Sequence, residues 1–237
     1  MKQFNVAILG ATGAVGREML KILEEYDFPV GELRPLASAR SAGSTVPFKG
    51  QEILVQEARE DSFAGMDFVL GAVGGGMAKQ FAPHIVKAGA VFVDNSSSFR
   101  LDPDVPLIIP EVNGADAFQN KGIISNPNCS TIITMTAVNA LNSIAPIRAM
   151  TTSTYQAVSG AGAAGPVELM DQVTALGKGE KPEIKVFQHQ MLHREHGAVL
   201  PAFHKDPGAG FQLRISLLRS LYSDTQLFQI GPVHNDR

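Results

Sequence analysis

Apolar segments with two different periods alternate along the first half of the chain. Short β-branched and apolar runs predict strands, and segments with apolar residues at helical spacing predict helices. The predicted strands are 4–9, 32–37, 67–73, 91–94 and 122–124, and the predicted helices are 17–23, 77–87 and 131–144. Strands that alternate with helices build a parallel sheet with helices on its faces, so the pattern predicts an α/β fold.

A glycine-rich turn joins the first predicted strand to the first predicted helix. Residues 10–16 read GATGAVG, a G-x-x-G-x-x-G variant of the dinucleotide-binding fingerprint. Glycines in such a turn let the backbone approach a pyrophosphate, which then lies on the helix N-terminus. We therefore expect a Rossmann-like, doubly wound parallel sheet. Its cofactor-binding residues in this turn are Gly10, Thr12, Gly13, Ala14, Val15 and Gly16.

The end of the second predicted strand indicates which dinucleotide binds. NAD-specific folds place an Asp or Glu there to hold the ribose 2′-hydroxyl, whereas NADP-specific folds place an arginine nearby. This chain has Ser-Ala-Arg-Ser over residues 38–41 and no acidic residue. We predict that Arg40 and Ser41 bind the 2′-phosphate of NADP. The alternative is that Arg40 is a solvated surface charge.

A polar turn follows the predicted strand at residues 91–94. It reads Asn-Ser-Ser-Ser over residues 95–98, and Arg100 closes it. Strand ends of this kind form the ligand-facing edge of a doubly wound sheet, and a planar guanidinium binds phosphate through two parallel hydrogen bonds. Arg100 is therefore a candidate anion-binding residue.

Cys129, the single cysteine of the chain, lies where a predicted strand turns into a predicted helix. Backbone N–H groups and the helix dipole stabilise a thiolate at such a position, which favours a nucleophile. The alternative is a buried free cysteine that serves as a small apolar side chain. The polar Asn-Pro-Asn segment at residues 126–128 favours the nucleophile, because a core cysteine is usually flanked by apolar residues.

The amino-acid composition and net charge indicate which kinds of partner the protein does not bind. The chain has 237 residues, of which 44% are hydrophobic and 18% charged, as in ordinary globular proteins. The net charge of −3 offers no basic face for nucleic acid. The apolar runs are shorter than a bilayer span, and one cysteine fits a reducing compartment. We therefore expect a cytoplasmic protein that binds neither nucleic acid nor membranes.

Five motifs, in order along the chain, carry a family likeness. They are GATGAVG at 10–16, ASARS at 37–41, DNSSSFR at 94–100, NPNCST at 126–131 and STYQAVSGAG at 153–162. Together they resemble aspartate-β-semialdehyde dehydrogenase of the bacterial type. The resemblance covers about residues 4–189.

The resemblance implies an activity and a set of roles. The activity is the NADPH-dependent reductive dephosphorylation of L-aspartyl-4-phosphate to L-aspartate 4-semialdehyde and phosphate, in the biosynthesis of lysine, methionine and threonine. Cys129 would form a thioester, Arg100 would bind phosphate, and Gln156 would orient the substrate. Asn128 would support the oxyanion, and Ser159-Gly160 would line the nicotinamide. The family also forms homodimers or homotetramers.

The likeness fades after about residues 187–190. Five of the six histidines of the chain lie after residue 188. We find there none of the family's C-terminal motifs, which include an acid/base histidine. The predicted organisation is an NADP-binding domain at 1–127, an incomplete α/β catalytic and dimerisation domain at 128–189, and an atypical tail at 190–237. The second domain should contain a strand at 147–156 and a helix at 166–176. An altered C-terminus, for instance through a frame change, would reduce turnover.

Other functions stay open. An N-acetyl-glutamyl-phosphate reductase-like enzyme would also use a cysteine after a strand, and an inactive NADP-binding remnant would bind the cofactor without forming a thioester. His189, His193 and His196 have a spacing that could align them on a helix as metal ligands. A glycine and two prolines break up that region, so we expect no metal there.

Overall fold

The computed structural model describes residues 2–154, 156–162 and 164–186. The chain packs as two compact units, divided between Ser143 and Ile144. The predicted domain boundary after residue 127 stays a prediction. The predicted tail at residues 190–237, with the histidine series His189, His193 and His196, lies outside the described residues.

A parallel sheet forms the centre of the first unit. In chain order the described strands are β1 (Phe4–Leu9), β2 (Val30–Ala37), β3 (Thr45–Phe48), β4 (Gln51–Leu54), β5 (Gln56–Glu57), β6 (Phe68–Gly71), β7 (Val91–Asp94) and β8 (Ile123–Ser125). Six of them form one parallel sheet in the order β5-β2-β1-β6-β7-β8, while β3 and β4 form an antiparallel hairpin. The strand order reverses between β1 and β6, which is where such sheets bind dinucleotides. The predicted Rossmann-like, doubly wound sheet is confirmed.

Helices cover both faces of this sheet. The described helices are α1 (Ala14–Glu25), α2 (Gly75–Lys87), α3 (Pro110–Asn113), α4 (Cys129–Ile144) and α5 (Ala164–Gly177), with 3₁₀ turns at Gly114–Gln119 and Val158–Ala161. Side chains of β1 alternate between the faces: Ile8 packs in one core with Leu20 of α1, and Leu9 packs in the other core with Phe81 of α2. Because both faces are covered, β1 reads as a continuous apolar run.

The helix α4 lacks buried residues. Its apolar side chains Ile133, Leu141 and Ile144 are 74%, 60% and 83% exposed. Helix stability in proteins comes mainly from packing an apolar face, so α4 depends more on its N-terminal cap than α1 or α2 do.

Among the described residues, we find no helix with the length and apolar character needed to cross a membrane.

The second unit contains α5 and the 3₁₀ turn that precedes it. The helix predicted at residues 166–176 is confirmed as α5. Residues 147–154 form neither helix nor strand, so the strand predicted at 147–156 is wrong over that range. A strand exists through hydrogen bonds to a neighbouring strand, and the described part of the second unit contains no such neighbour.

A buried carboxylate ties residues 185–186 to α5. Glu168 is 3% exposed. Its Oε1 accepts hydrogen bonds from the side-chain amide of Gln172 at 3.0 Å and from the backbone N–H of Lys185 at 3.1 Å. Its Oε2 accepts one from the backbone N–H of Val186. A buried carboxylate needs hydrogen-bond donors, and two backbone N–H groups of this segment supply them, so Glu168 fixes the segment on the helix.

Replacing Glu168 by alanine is expected to destabilise the second unit by about 1–3 kcal/mol, because the buried side-chain amide of Gln172 and two backbone N–H groups lose this acceptor. In hydrogen-exchange measurements the amides of Lys185 and Val186 should exchange faster, while those of β1 should not change. Glu180→Ala removes an exposed carboxylate and is the matched control. Unchanged exchange at Lys185 and Val186 in the Glu168 variant would contradict this role.

Candidate functional site

Two crowded glycines and one open glycine shape the turn between β1 and α1. Gly10 has a φ of +94°, and a Cβ on it would lie 2.5 Å from the carbonyl oxygen of Ala72. A Cβ on Gly16 would lie 2.7 Å from the Cα of Ala11 and closer still to the carbonyl oxygen of Gly10. Gly13 is exposed, and a Cβ there would meet only the Gly10 carbonyl oxygen, at 3.4 Å. The fold therefore requires Gly10 and Gly16, whereas Gly13 leaves the backbone accessible to a ligand.

Backbone N–H groups at the start of α1 line this turn. Gly13 is the N-cap, with extended backbone angles (φ −74°, ψ 167°), and gives the helix no side-chain cap. The first N–H groups of a helix lack intrahelical acceptors and lie at the positive end of the helix dipole. Thr12 is half-buried in the turn, and Ala14 and Val15 are exposed. The predicted cofactor residues of this turn thus form a cradle that fits a pyrophosphate.

The turn after β2 lies at the same edge of the sheet. The N–H groups of Gly10 and Ala11 donate to the carbonyl of Leu36 at 2.8 and 3.0 Å, which fastens the glycine turn to the end of β2. Arg40 is exposed in the turn after β2, and Ser41 is half-buried. Within the part of the chain that the structure describes, the Arg40 guanidinium has neither an ion pair nor a hydrogen bond. The guanidinium is thus available to an anion, and its predicted role toward the 2′-phosphate of NADP stays a prediction.

Buried Asp94 organises the turn after β7. Its Oδ1 accepts a hydrogen bond from the Ser96 N–H at 3.1 Å, and its Oδ2 accepts one from the Ser96 hydroxyl at 2.6 Å. The Ser98 hydroxyl donates to the carbonyl of Gly75, the first residue of α2, at 2.9 Å. A Cβ on Gly75 would lie 2.5 Å from that hydroxyl oxygen, so glycine allows this close approach. Burial raises the pKa of Asp94, while the Ser96 hydrogen bonds and the charge of Arg100 act in the opposite direction.

Arg100 connects this turn with the segment after β8. Its Nε donates to the carbonyl of Asn126 at 2.8 Å, and its Nη2 donates to the carbonyl of Asn95 at 3.2 Å. These bonds use two of the five guanidinium N–H groups. The remaining N–H groups take no part in these two bonds. They can bind an anion beside the segment that leads into Cys129.

Cys129 is exposed and is the first residue of α4. This exposure argues against the alternative of a buried apolar cysteine. The Oδ1 of Asn128 accepts a hydrogen bond from the N–H of Ser130 at 2.9 Å, so Asn128 caps the helix. Asparagine before a helix is a common cap signal, but the helix predicted at 131–144 starts two residues later than α4 and so does not place Asn128 at the cap. The side-chain NH₂ of Asn128 remains available as a donor, and its predicted role toward an oxyanion stays a prediction.

Gln156, Ser159 and Gly160 belong to the second unit. Gln156 is half-buried, and Ser159 and Gly160 are exposed in the 3₁₀ turn before α5. The N–H of Gly160 donates to the carbonyl of Ala157 at 3.0 Å, which closes the turn. Their predicted roles toward the substrate and the nicotinamide stay predictions.

Asp94 and Ser96 are site residues that the pattern of apolar and polar positions does not reveal. An aspartate followed two residues later by a donor is typical of an Asx turn, and this spacing is the available signal. It does not show that the carboxylate is buried, because burial here depends on the neighbouring strands. The register places Asp94 beside Gly71 of β6 and Ser125 of β8.

Two family models match this chain. The model "Semialdehyde dehydrogenase, NAD binding domain" matches residues 5–120, and the model "Semialdehyde dehydrogenase, dimerisation domain" matches residues 138–194. The first match contains the glycine turn, the turn after β2 and the turn after β7. The first unit therefore contains an NAD(P)-binding domain.

Curated relatives are similar over most of the chain. The aspartate-semialdehyde dehydrogenase of Aquifex aeolicus is 50% identical over 192 residues, which cover 79% of this chain and 56% of that protein. The aspartate-semialdehyde dehydrogenase of Bacillus subtilis is 47% identical over 191 residues, which cover 80% of this chain and 55% of that protein. The chain thus spans just over half the length of these relatives.

Solved structures share the fold. Aspartate semialdehyde dehydrogenase II from Vibrio cholerae, complexed with ASA, matches with a TM-score of 0.72 and 44% identity, covering 80% of this chain and 57% of that chain. Aspartate semialdehyde dehydrogenase with NADP from Candida albicans matches with a TM-score of 0.54 and 29% identity, covering 66% of this chain and 51% of that chain. With both family models and these relatives in agreement, the chain belongs to the aspartate-semialdehyde dehydrogenase family.

Proposed function

We propose that this chain catalyses the NADPH-dependent reductive dephosphorylation of L-aspartyl-4-phosphate to L-aspartate 4-semialdehyde through a thioester on Cys129. One observation carries the proposal. An exposed cysteine begins α4, and Arg100 is bound to the backbone of the segment that leads into it. Family membership supports the substrate, because the relatives named above are aspartate-semialdehyde dehydrogenases.

The first chemical step is attack by the Cys129 thiolate on the acyl carbon of aspartyl phosphate. A C–S bond forms, the C–O bond to phosphate breaks, and phosphate leaves with the electron pair. The N-terminus of α4 stabilises the thiolate. The free N–H groups of Arg100 bind the phosphate and offset the charge that it carries away.

The aspartyl thioester is then reduced to the aldehyde, and the Cys129 thiolate leaves. NADPH held by the glycine turn at residues 10–16 would supply the hydride for this reduction. The side-chain NH₂ of Asn128 donates to the substrate oxygen that becomes negative, while its Oδ1 stays on the Ser130 N–H. Gln156 orients the substrate, and Ser159-Gly160 line the nicotinamide. A thiolate serves both steps because it is a good nucleophile and a good leaving group.

The proposed cofactor is NADP rather than NAD, and Arg40 is the residue that decides it. Arg40→Ala is expected to weaken NADP⁺ binding by about 10- to 100-fold and to leave NAD⁺ binding unchanged, because the charge-assisted bonds to the 2′-phosphate are lost. Calorimetric titration with each nucleotide measures both affinities. Arg59→Ala removes an exposed arginine that is paired with Glu57 and is the matched control. Equal losses for the two nucleotides would contradict the role of Arg40.

The proposed activity is tested with L-aspartate 4-semialdehyde, NADP⁺ and phosphate by following NADPH absorbance. Phosphate-dependent NADPH formation is the expected result. A preference for N-acetyl-glutamate semialdehyde would instead identify an N-acetyl-glutamyl-phosphate reductase. NADP⁺ binding without turnover of either aldehyde, and without a thioester, would identify an inactive NADP-binding remnant.

We further propose that turnover by these 237 residues is slow, since the family's motif for an acid/base histidine is not found in them. General acid–base catalysis contributes a rate acceleration of roughly 10²–10⁴-fold.

The match of residues 138–194 to a dimerisation domain supports a homodimer or homotetramer. The single cysteine supports a reducing, cytoplasmic location, and the substrate supports a place in lysine, methionine and threonine biosynthesis.

A further inference from the structure

Asp94 is a buried carboxylate for which the proposed reaction has no chemical use. Its side chain is fully buried at the end of β7, between β6 and β8. A carboxylate in such a place is unfavourable unless hydrogen bonds hold it. Both of its oxygens accept hydrogen bonds from one residue, Ser96, as described above. The carboxylate therefore fixes the conformation of the turn immediately after β7.

The hydrogen bonds continue from Asp94 through the turn to α2. The Ser96 hydroxyl donates to Asp94 and accepts a hydrogen bond from the Ser98 N–H at 3.1 Å. The Ser98 hydroxyl donates to the carbonyl of Gly75. The turn is thus fastened at its start by Asp94 and at its middle by the first residue of α2.

Arg100 takes its position from the same turn. One of its two backbone anchors is the carbonyl of Asn95, which lies between Asp94 and Ser96. Its other anchor is the carbonyl of Asn126, whose own N–H donates to the carbonyl of Asp94 at 2.8 Å. The ring of Phe99 packs edge-on against Phe92 of β7, with centroids 6.4 Å apart. The anchor at Asn95 therefore depends on the turn that the Asp94 carboxylate holds, whereas the anchor at Asn126 depends on the backbone carbonyl of Asp94.

We propose that Asp94 is a positioning residue, which holds the turn of residues 95–100 so that Arg100 presents its free N–H groups to the phosphate of the substrate. This inference rests on the proposed function, since it takes phosphate as the ligand of Arg100. Asp94 acts through Arg100 and does not itself contact the substrate. Loss of the carboxylate should leave the glycine turn of β1 and α1 intact, because that turn is fastened to β2 instead.

The test measures inorganic phosphate and NADP⁺ binding by calorimetry in the whole chain. Asp94→Asn keeps the shape but replaces one acceptor by a donor, and it should weaken phosphate binding about tenfold while NADP⁺ binding changes less than twofold. Ser96→Ala should act in the same direction, and Ser96→Thr, which keeps the hydroxyl, should restore phosphate binding. Asp104→Asn removes an exposed carboxylate paired with Lys121 and is the matched control.

The outcomes separate this inference from the proposed function. Equal losses of phosphate and NADP⁺ binding in both the Asp94 and Ser96 variants would overturn the inference, because they indicate general loss of structure. Weaker phosphate binding in Arg100→Ala with no change in Asp94→Asn and Ser96→Ala would also overturn it, while leaving the proposed function intact. Unchanged phosphate binding in Arg100→Ala would overturn both.

Discussion

Replacing Cys129 by serine is expected to abolish phosphate-dependent NADPH formation from L-aspartate 4-semialdehyde, with a loss of roughly 10³-fold or more. Serine is nearly the same size as cysteine, but its hydroxyl is not ionised at neutral pH. The N-terminus of α4 stabilises an anion only where one can form. The rate is measured as NADPH absorbance under single-turnover conditions, so that slow product release does not mask the chemical step.

Two controls separate the lost nucleophile from lost structure. Because Cys129 is exposed, the serine variant should fold and bind NADP⁺ with unchanged affinity. Ser143→Ala lies near the other end of α4, where the hydroxyl donates only to a backbone carbonyl, and it should keep full activity. Undiminished NADPH formation by the serine variant would contradict the nucleophilic role of Cys129.

Replacing Gly16 by alanine is expected to destabilise the first unit by about 3 kcal/mol and to eliminate NADP⁺ binding, because the new methyl group would overlap backbone atoms that cannot move away. Those atoms are the carbonyl oxygen of Gly10 and the Cα of Ala11, and both belong to the cofactor turn. Relief of the overlap requires α1 to move away from β1, which opens the cradle. Urea denaturation gives the free energy of unfolding, and calorimetry gives the affinity.

Two other glycines provide matched controls for this variant. Gly76→Ala, in the first turn of α2, adds a methyl group with no atom within 4 Å, so its stability should be unchanged or slightly higher. Gly13→Ala should fold normally, since its Cβ meets one atom at 3.4 Å. It should bind NADP⁺ about tenfold more weakly, because the methyl group prevents the pyrophosphate from approaching the backbone. A stable Gly16→Ala variant with normal affinity would contradict this view of the turn.

The elements that the sequence predicts best are those buried on both faces. The observed bounds of β1 and β7 agree with the prediction, because the apolar residues of each strand are enough to mark where it begins and ends. Helix starts are harder to predict: α1 begins at Ala14 and α2 at Gly75, within glycine-rich segments of low helix propensity. The short strand β5 exists through two pairings with β2 and has no apolar pattern of its own.

Some residues of the candidate site can likewise be predicted from the local sequence, whereas others depend on contacts with distant parts of the chain. The glycine turn, Arg100 and Cys129 can be predicted because each requires a particular residue type at a strand end. The contact between Ser98 and Gly75 joins residues 23 positions apart, and no local pattern encodes it. The burial of Asp94 likewise depends on β6 and β8. Positioning contacts of this kind become visible once the sheet order is known.

The most direct test of the proposed chemistry is to look for the covalent intermediate on Cys129. The chain is mixed with L-aspartate 4-semialdehyde and NADP⁺ without phosphate, digested, and analysed by mass spectrometry. One aspartyl group should be found on the peptide that contains Cys129, in step with NADPH formation, and it should disappear when phosphate is added. Phosphate-dependent NADPH formation with no such group on Cys129, at any time sampled, would contradict the thioester mechanism.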